Sequence, residues 1–344
     1  MWPRRGPHPF SEPCLYSAPA CYELAKGLLT TADVVIDAAV APQARSPRQL
    51  FWARFKQDKA ALAGGIVIVV LIFLAIFGGP LAERITGHPQ NEPYTAMTDD
   101  FGLPLGPNSQ FWFGADGAGR DLFVRTMYGA RTSLLVGIVA AGIAVMIGTL
   151  IGLLAGFFGR WTDMTFSRGA DVVLAVPQLL IAIGIVASCG TTKEGCLNGL
   201  IEPGLTLVIV VIALFSWPYV ARVVRGNTLS LKQKEFVEAS RSIGAGNLRI
   251  LGGDLLPNLA APVIVLATLL VPQSILFEAA LSYLGVGVPP EQASWGQILA
   301  DASGLYDVAW WLMVFPGAFL VVTTLSFNLL GDGLRDALDV RTDR

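Results

Sequence analysis

Six stretches of this chain, beginning at Ala60, Thr132, Val172, Pro203, Leu255 and Val308, run without Asp, Glu, Lys or Arg. Each reaches the about 20 residues that a helix needs to cross the ~30 Å hydrocarbon core of a bilayer. Backbone polar groups in lipid must be paired inside a helix or a closed barrel, and barrel strands are shorter and alternate in polarity. The reading is therefore an all-α membrane protein with six transmembrane helices. Composition agrees, with 53% hydrophobic and 15% charged residues and the charges gathered between the apolar runs.

Lys and Arg resist translocation, so their distribution orients the spans. Arg45, Arg48, Arg54, Lys56 and Lys59 precede the first span; Arg160 and Arg168 lie between the second and third; Arg222, Arg225, Lys232, Lys234, Arg241 and Arg249 follow the fourth; Arg335, Arg341 and Arg344 close the chain. The opposite side receives only Arg84, Arg120, Arg125, Arg131 and Lys193. Both termini are expected in the cytoplasm of a multi-pass plasma-membrane protein. No cleavable signal peptide is visible after Arg4 and Arg5. Topology accounts for the basic residues, and a nucleic-acid partner is set aside. The chain divides into an extension and basic anchor over 1–59, a first helix and external loop over 60–131, and a five-helix core over 132–341. Residues 1–50 hold one helical-looking stretch, Tyr22 to Val40, readable as an inner-leaflet amphipathic helix or as a tail.

Cys14 and Cys21 fall on the reducing side, while Cys189 and Cys196 share a short external loop, as a disulfide or as two free thiols. No metal site is expected, because His8 lies in the tail and His88 stands alone outside. In the second span Gly148, Gly152 and Gly156 recur every four residues after Ala144, leaving a helix face that another helix can approach closely. Pro177, Pro218, Pro262, Pro272 and Pro316 sit in or beside later spans and permit kinks. Outside, Asp121 and Arg125 are spaced for a helical ion pair.

The polar elbow between the fourth and fifth spans, within 230–257, carries the most specific signal. Ser230 with Gln233 reads as a capping box, which predicts a helix from there through Ile243. Phe236, Ala239, Ser240 and Ile243 share one face; Lys234, Glu238 and Arg241 share another. Gly244 reads as a left-handed cap, and Asn247 as the start of a second helix toward Pro257. Apolar and charged faces together suit a groove on a partner protein. Two further acids stand out. Glu278 lies within the fifth span, where an ionisable group must face protein or water; structural pairing and cargo contact both remain open for it. Asp332 sits at helical spacing from Arg335.

The elbow resembles the signature loop of membrane permease subunits of ATP-driven, binding-protein-dependent (ABC) importers. Glu238, Ala239, Gly244, Leu256 and Pro257 match its spacing, with Ser240 in place of an Ala and Asp254 in place of an Ile. Three more segments resemble the peptide and nickel branch, specifically its second, C-type permease. These are Gly114-Ala-Asp116-Gly-Ala-Gly119-Arg120-Asp121 with Tyr128-Gly-Ala-Arg131, Leu276-Phe-Glu278-Ala-Ala-Leu-Ser-Tyr-Leu-Gly with Ser294-Trp295-Gly296, and Phe327-Asn328 through Asp339.

The resemblance implies a type I importer permease fold with cytoplasmic coupling helices. It implies a second homologous permease, two cytoplasmic ATPase subunits, an external substrate-binding (lipo)protein, membrane lipid around the bundle and a peptide as cargo. Phe236, Glu238, Ala239, Ile243, Gly244 and Pro257 would couple to the ATPase; Asp116, Arg120 and Asp121 form the external motif. The chain has no phosphate-binding loop, so it is expected to be non-catalytic, with no cofactor of its own and ATP and Mg held by the partner ATPases. Two rival readings are a proton-coupled secondary carrier using Glu278 and a non-transporting membrane scaffold.

Overall fold

The computed structural model describes residues 47–190, 196 and 201–338. The expectations for His8, Cys14, Cys21 and the stretch Tyr22–Val40 lie outside the described residues. Of the unit Met1–Leu50 only the residues from Pro47 are described, where helix α1 (Pro47–Phe55) begins. In the unit Phe51–Arg344, Asp58 caps α2 (Lys59–Thr86), its Oδ1 accepting from the Ala60 and Ala61 amides at 2.9 and 3.1 Å. Gly87, at φ +75°, ends this helix in the left-handed conformation.

Helix α3 (Leu122–Phe158) has 37 residues. At 1.5 Å per residue it extends about 55 Å, well beyond the ~30 Å apolar core. It begins ten residues before the charge-free run at Thr132, because Arg125 and Arg131 are carried inside the helix and Arg125 is fully buried. After a turn at Gly159 come α4 (Arg160–Ala175) and α5 (Gln178–Gly190), bent by 84° relative to each other. The bend falls at Pro177, which drives Val176 into extended backbone at φ −89°, ψ 140°. By length and composition five helices can cross a membrane, and the α4–α5 pair is the sixth if the two count as one span.

Helix α6 (Leu205–Leu231) follows, then α7 (Glu235–Ser242), α8 (Asn247–Tyr283), the short α9 (Trp295–Ala302) and α10 (Trp311–Leu338). No strand occurs among the described residues beyond isolated bridges.

The bundle is held by close helix approaches rather than by amphipathic faces. The glycine face of α3 receives α6: a Cβ on Gly148 would stand 2.7 Å from the Trp217 carbonyl oxygen, and one on Gly152 2.5 Å from that of Ala221. Likewise, a Cβ on Gly64 of α2 would stand 2.7 Å from the Ser326 oxygen of α10. The apolar core around these contacts includes Leu71, Ala144, Val220, Val224, Leu259, Ile275 and Phe327. Ile66, Val69, Met146, Leu150 and Val321 instead point outward and are exposed, as lipid-facing side chains are. Arg225 of α6 forms a two-pronged contact with Asp163 of α4, and Arg222 reaches Asp171 at 2.7 Å, so the two helices are pinned at one end. Cys189 and Cys196 are joined as a disulfide, their Cα atoms 5.0 Å apart.

Candidate functional site

The elbow is a protrusion between two spans. Helix α6 continues through Leu231, and Ser230 lies inside it, its Oγ donating to the Gly226 oxygen at 3.3 Å. The expected capping box at Ser230 is therefore not formed, because the preceding helix overruns it. Helix α7 starts instead at Glu235, after Lys234 takes extended backbone at φ −83°, ψ 148°.

Its end is a Schellman closure. Gly244, at φ +80°, donates its amide to the Arg241 oxygen at 2.9 Å, and the Ala245 amide donates to the Ser240 oxygen at 3.0 Å. Asn247 then opens α8, which continues into the fifth span through a π-helical stretch, Ile250–Leu255, just ahead of Pro257. Pro257 has no amide hydrogen to give, so the irregular turn before it leaves fewer helix bonds to break. Asp254 lies in this stretch with its Oδ2 buried and without a hydrogen bond.

Four contacts anchor the elbow, none of them apparent from the motif. Val237 is fully buried and belongs to the same apolar core as Ile250, Leu251 and Leu255. Lys232 Nζ donates to the Phe157 carbonyl oxygen at 2.5 Å at the end of α3, and both Lys232 Nζ and Arg241 Cζ lie 5.8 Å from the Phe157 ring centroid. Val237 falls on neither of the two faces read from the sequence, and the Phe157 contacts, some 80 positions away, had no local signal. Outward, Phe236, Glu238, Ala239, Gly244 and Pro257 are exposed, as are Ile243 at 80% and Leu248 at 85%. The Glu238 carboxylate makes no ion pair with a described residue.

At the opposite end the external motif is a buried polar knot. Asp116 Oδ1 accepts from the Ala118 and Arg120 amides, both at 2.9 Å; its Oδ2 contacts Arg120 Nε at 2.7 Å and Arg125 Nε at 3.2 Å. Asp121 caps α3 through the Phe123 and Val124 amides and pairs with His88 Nδ1 at 2.7 Å. The expected Asp121–Arg125 helical pair is not formed: Asp121 stands outside the first turn as its cap, and Arg125 turns to Asp116, to Asn91 Oδ1 at 2.9 Å and to the Pro290 oxygen at 3.2 Å. His88 is thus not isolated, and it also stacks on Phe111. Burial pushes the nearby Asp301 carboxyl up, against a Gln297 hydrogen bond and the Arg125 charge that favour its ionised form.

Glu278 is fully buried, and its Oε1 accepts from Ser282 Oγ at 2.7 Å and Ser294 Oγ at 2.8 Å. Ser294 in turn caps α9 through the Gln297 amide at 3.0 Å. The Trp295 amide donates to Ser133 Oγ of α3 at 3.1 Å, and its indole to the Thr126 oxygen at 3.0 Å. The carboxyl therefore ties α9 to α8 beside α3. We expect Glu278→Ala to lower stability by about 2–4 kcal/mol, since buried hydroxyls lose their acceptor, with Glu278→Gln recovering part of it. Detergent melts check this; a wild-type melt with transport abolished would instead assign Glu278 to cargo contact. Asp332 is exposed in the last turns of α10 and makes no ion pair with Arg335.

Residues 148–344 match the family described as binding-protein-dependent transport system inner membrane component, and residues 46–104 match the N-terminal TM domain of oligopeptide transport permease C. A glutathione transport system permease protein GsiD from Pectobacterium atrosepticum is 39% identical over 316 residues, covering 91% of this chain and 96% of the relative. A dipeptide transport system permease protein DppC from Alkalihalophilus pseudofirmus is 39% identical over 294 residues, covering 86% and 90%. Among solved structures, an inward-facing MetNI methionine ABC transporter chain matches in fold with a TM-score of 0.52 at 20% identity, over 62% of this chain and 96% of that one.

Proposed function

Because the chain belongs to the family of binding-protein-dependent transport system inner membrane components, we propose that its elbow is the docking element through which a separate ATPase drives passage of small peptides. Family membership sets aside the proton-linked carrier and the inert scaffold. The chain is a multi-pass permease subunit of an ABC importer.

This is the C-type subunit, paired with a second homologous permease to form the pathway. Both termini and the elbow face the cytoplasm, and the knot around Asp116, Arg120 and Asp121 faces outward, where a binding protein delivers cargo. ATP and Mg are handled by two partner ATPases. The relatives' names make dipeptides and glutathione-like peptides the cargo class.

One observation carries the docking role. Phe236, Ile243 and Leu248 stand exposed on a protrusion whose base is locked into the core by Val237 and into α3 by Lys232. An apolar tip on a rigid base transmits force to the spans it continues, as a docked element does in a rigid-body switch. Purification of the tagged chain from its own membranes in mild detergent is expected to recover two ATPases, a second permease and a binding protein. Recovery without any ATPase, or peptide uptake that follows a proton gradient and ignores ATP, would sink this reading.

A further inference from the structure

Between α6, α8 and α10, at the elbow end of the bundle, lies a groove of about 770 Å³, within the range of about 300–1,000 Å³ typical of small-ligand sites. Its charged lining consists of Lys234 and Arg335 alone; no carboxylate lines it among the described residues. Neither basic side chain forms an ion pair with a described residue. Topology accounts for basic residues at this end of the protein, but not for their convergence on one groove without a compensating acid among the described residues.

The polar remainder is suited to a peptide. The Asn227 amide nitrogen donates to the Val223 oxygen at 3.1 Å and that of Asn258 to the Asp254 oxygen at 2.6 Å, while Ser230 Oγ donates to Gly226. These bonds hold the three side chains in place and leave both amide oxygens and the serine lone pairs as acceptors for peptide N–H groups. Pro262 of α8 and Tyr219, which follows the helix-internal Pro218 of α6, form part of the lining.

We infer that this groove is an exit subsite for carboxylate-rich peptides, with Lys234 and Arg335 receiving carboxylates while Asn227 and Asn258 receive backbone amides. The inference rests on the peptide-import reading above and narrows its cargo to peptides bearing an excess carboxylate. Charges at a partly solvated mouth attract and orient such cargo without holding it tightly, which suits release on the inner side.

The test is uptake by the complete complex, with its partner permease, ATPases and binding protein, reconstituted in vesicles. Glutathione and Ala-Glu, with two carboxylates each, are compared with Ala-Ala, which has one. Delivery by the binding protein is common to wild type and variant, so the ratio of rates isolates the permease. In Lys234→Gln/Arg335→Gln the two-carboxylate to one-carboxylate ratio is expected to fall about fivefold, as for two partly solvated ionic contacts, and Lys234→Arg/Arg335→Lys is expected to restore it. An unchanged ratio, or an equal loss for all three peptides, overturns the inference and leaves the peptide-import reading standing. A wild-type complex that carries none of the three overturns both.

Discussion

Gly148→Leu combined with Gly152→Leu is expected to remove the folded protein from the membrane. Both glycines face α6, and a Cβ at either position would press on backbone: 2.7 Å from the Trp217 oxygen and 2.5 Å from the Ala221 oxygen. A backbone oxygen cannot rotate away as a side chain can, so α3 and α6 must separate along their length. Overpacking costs about 1–3 kcal/mol per site where the surroundings can yield. Two sites one turn apart on the same interface, against backbone, exceed that and approach the ~5–15 kcal/mol total stability of a folded domain. The readouts are abundance in the membrane fraction and the melting temperature in detergent. Gly169→Leu is the control, since nothing lies within 4 Å of a Cβ there. A double variant with normal abundance and melting would show that the α3–α6 contact is not what holds the bundle.

Gly244→Val is expected to leave the protein inserted and folded yet reduce transport at least tenfold, with ATP hydrolysis no longer tracking cargo. Here the glycine is needed for its backbone, not for space. Its φ is +80°, and no atom lies within 4 Å of a Cβ built on it. A non-glycine residue in the left-handed region costs about 1–2 kcal/mol, and more when β-branched. That is small for the whole bundle but large for one closure made by two hydrogen bonds, from Gly244 to Arg241 and from Ala245 to Ser240. Losing the closure re-aims Ile243 and Leu248, the most exposed apolar residues of the elbow. Reconstituted vesicles should show hydrolysis and uptake separating. Normal transport by this variant would end the case for the elbow as the coupling element. Gly244→Asn, which tolerates the left-handed conformation better, should lie between valine and wild type.

Much of the fold was legible because a bilayer imposes simple rules. Long charge-free runs mark helices, and the four-residue glycine repeat marked the face of α3 that α6 occupies. Gly244 as a left-handed cap could be read from local chemistry alone. Ser230 and Gln233 misled because a capping box and the tail of a preceding helix look alike when the overrun is not visible. Asp121 and Arg125 misled for a related reason: helical spacing implies a pair only if both residues lie inside the helix, and Asp121 is the cap that starts it.

The sequence by itself determined the number and order of the apolar segments, the close-packed face of α3 and the family to which the elbow and its companion motifs point. These follow from hydrophobicity, side-chain size and backbone preference, which act within a few residues. Only the tertiary structure decided that Arg125 belongs to Asp116 and Pro290, that Glu278 accepts hydrogen bonds from Ser282 and Ser294, that Val237 and Phe157 hold the elbow, and that Lys234 and Arg335 share a groove. Most of these are contacts between distant parts of the chain. A buried charge takes whichever partner the packing brings within reach, and in a bundle whose helices meet through small residues that partner is set by helix rotation and depth, which no local pattern encodes.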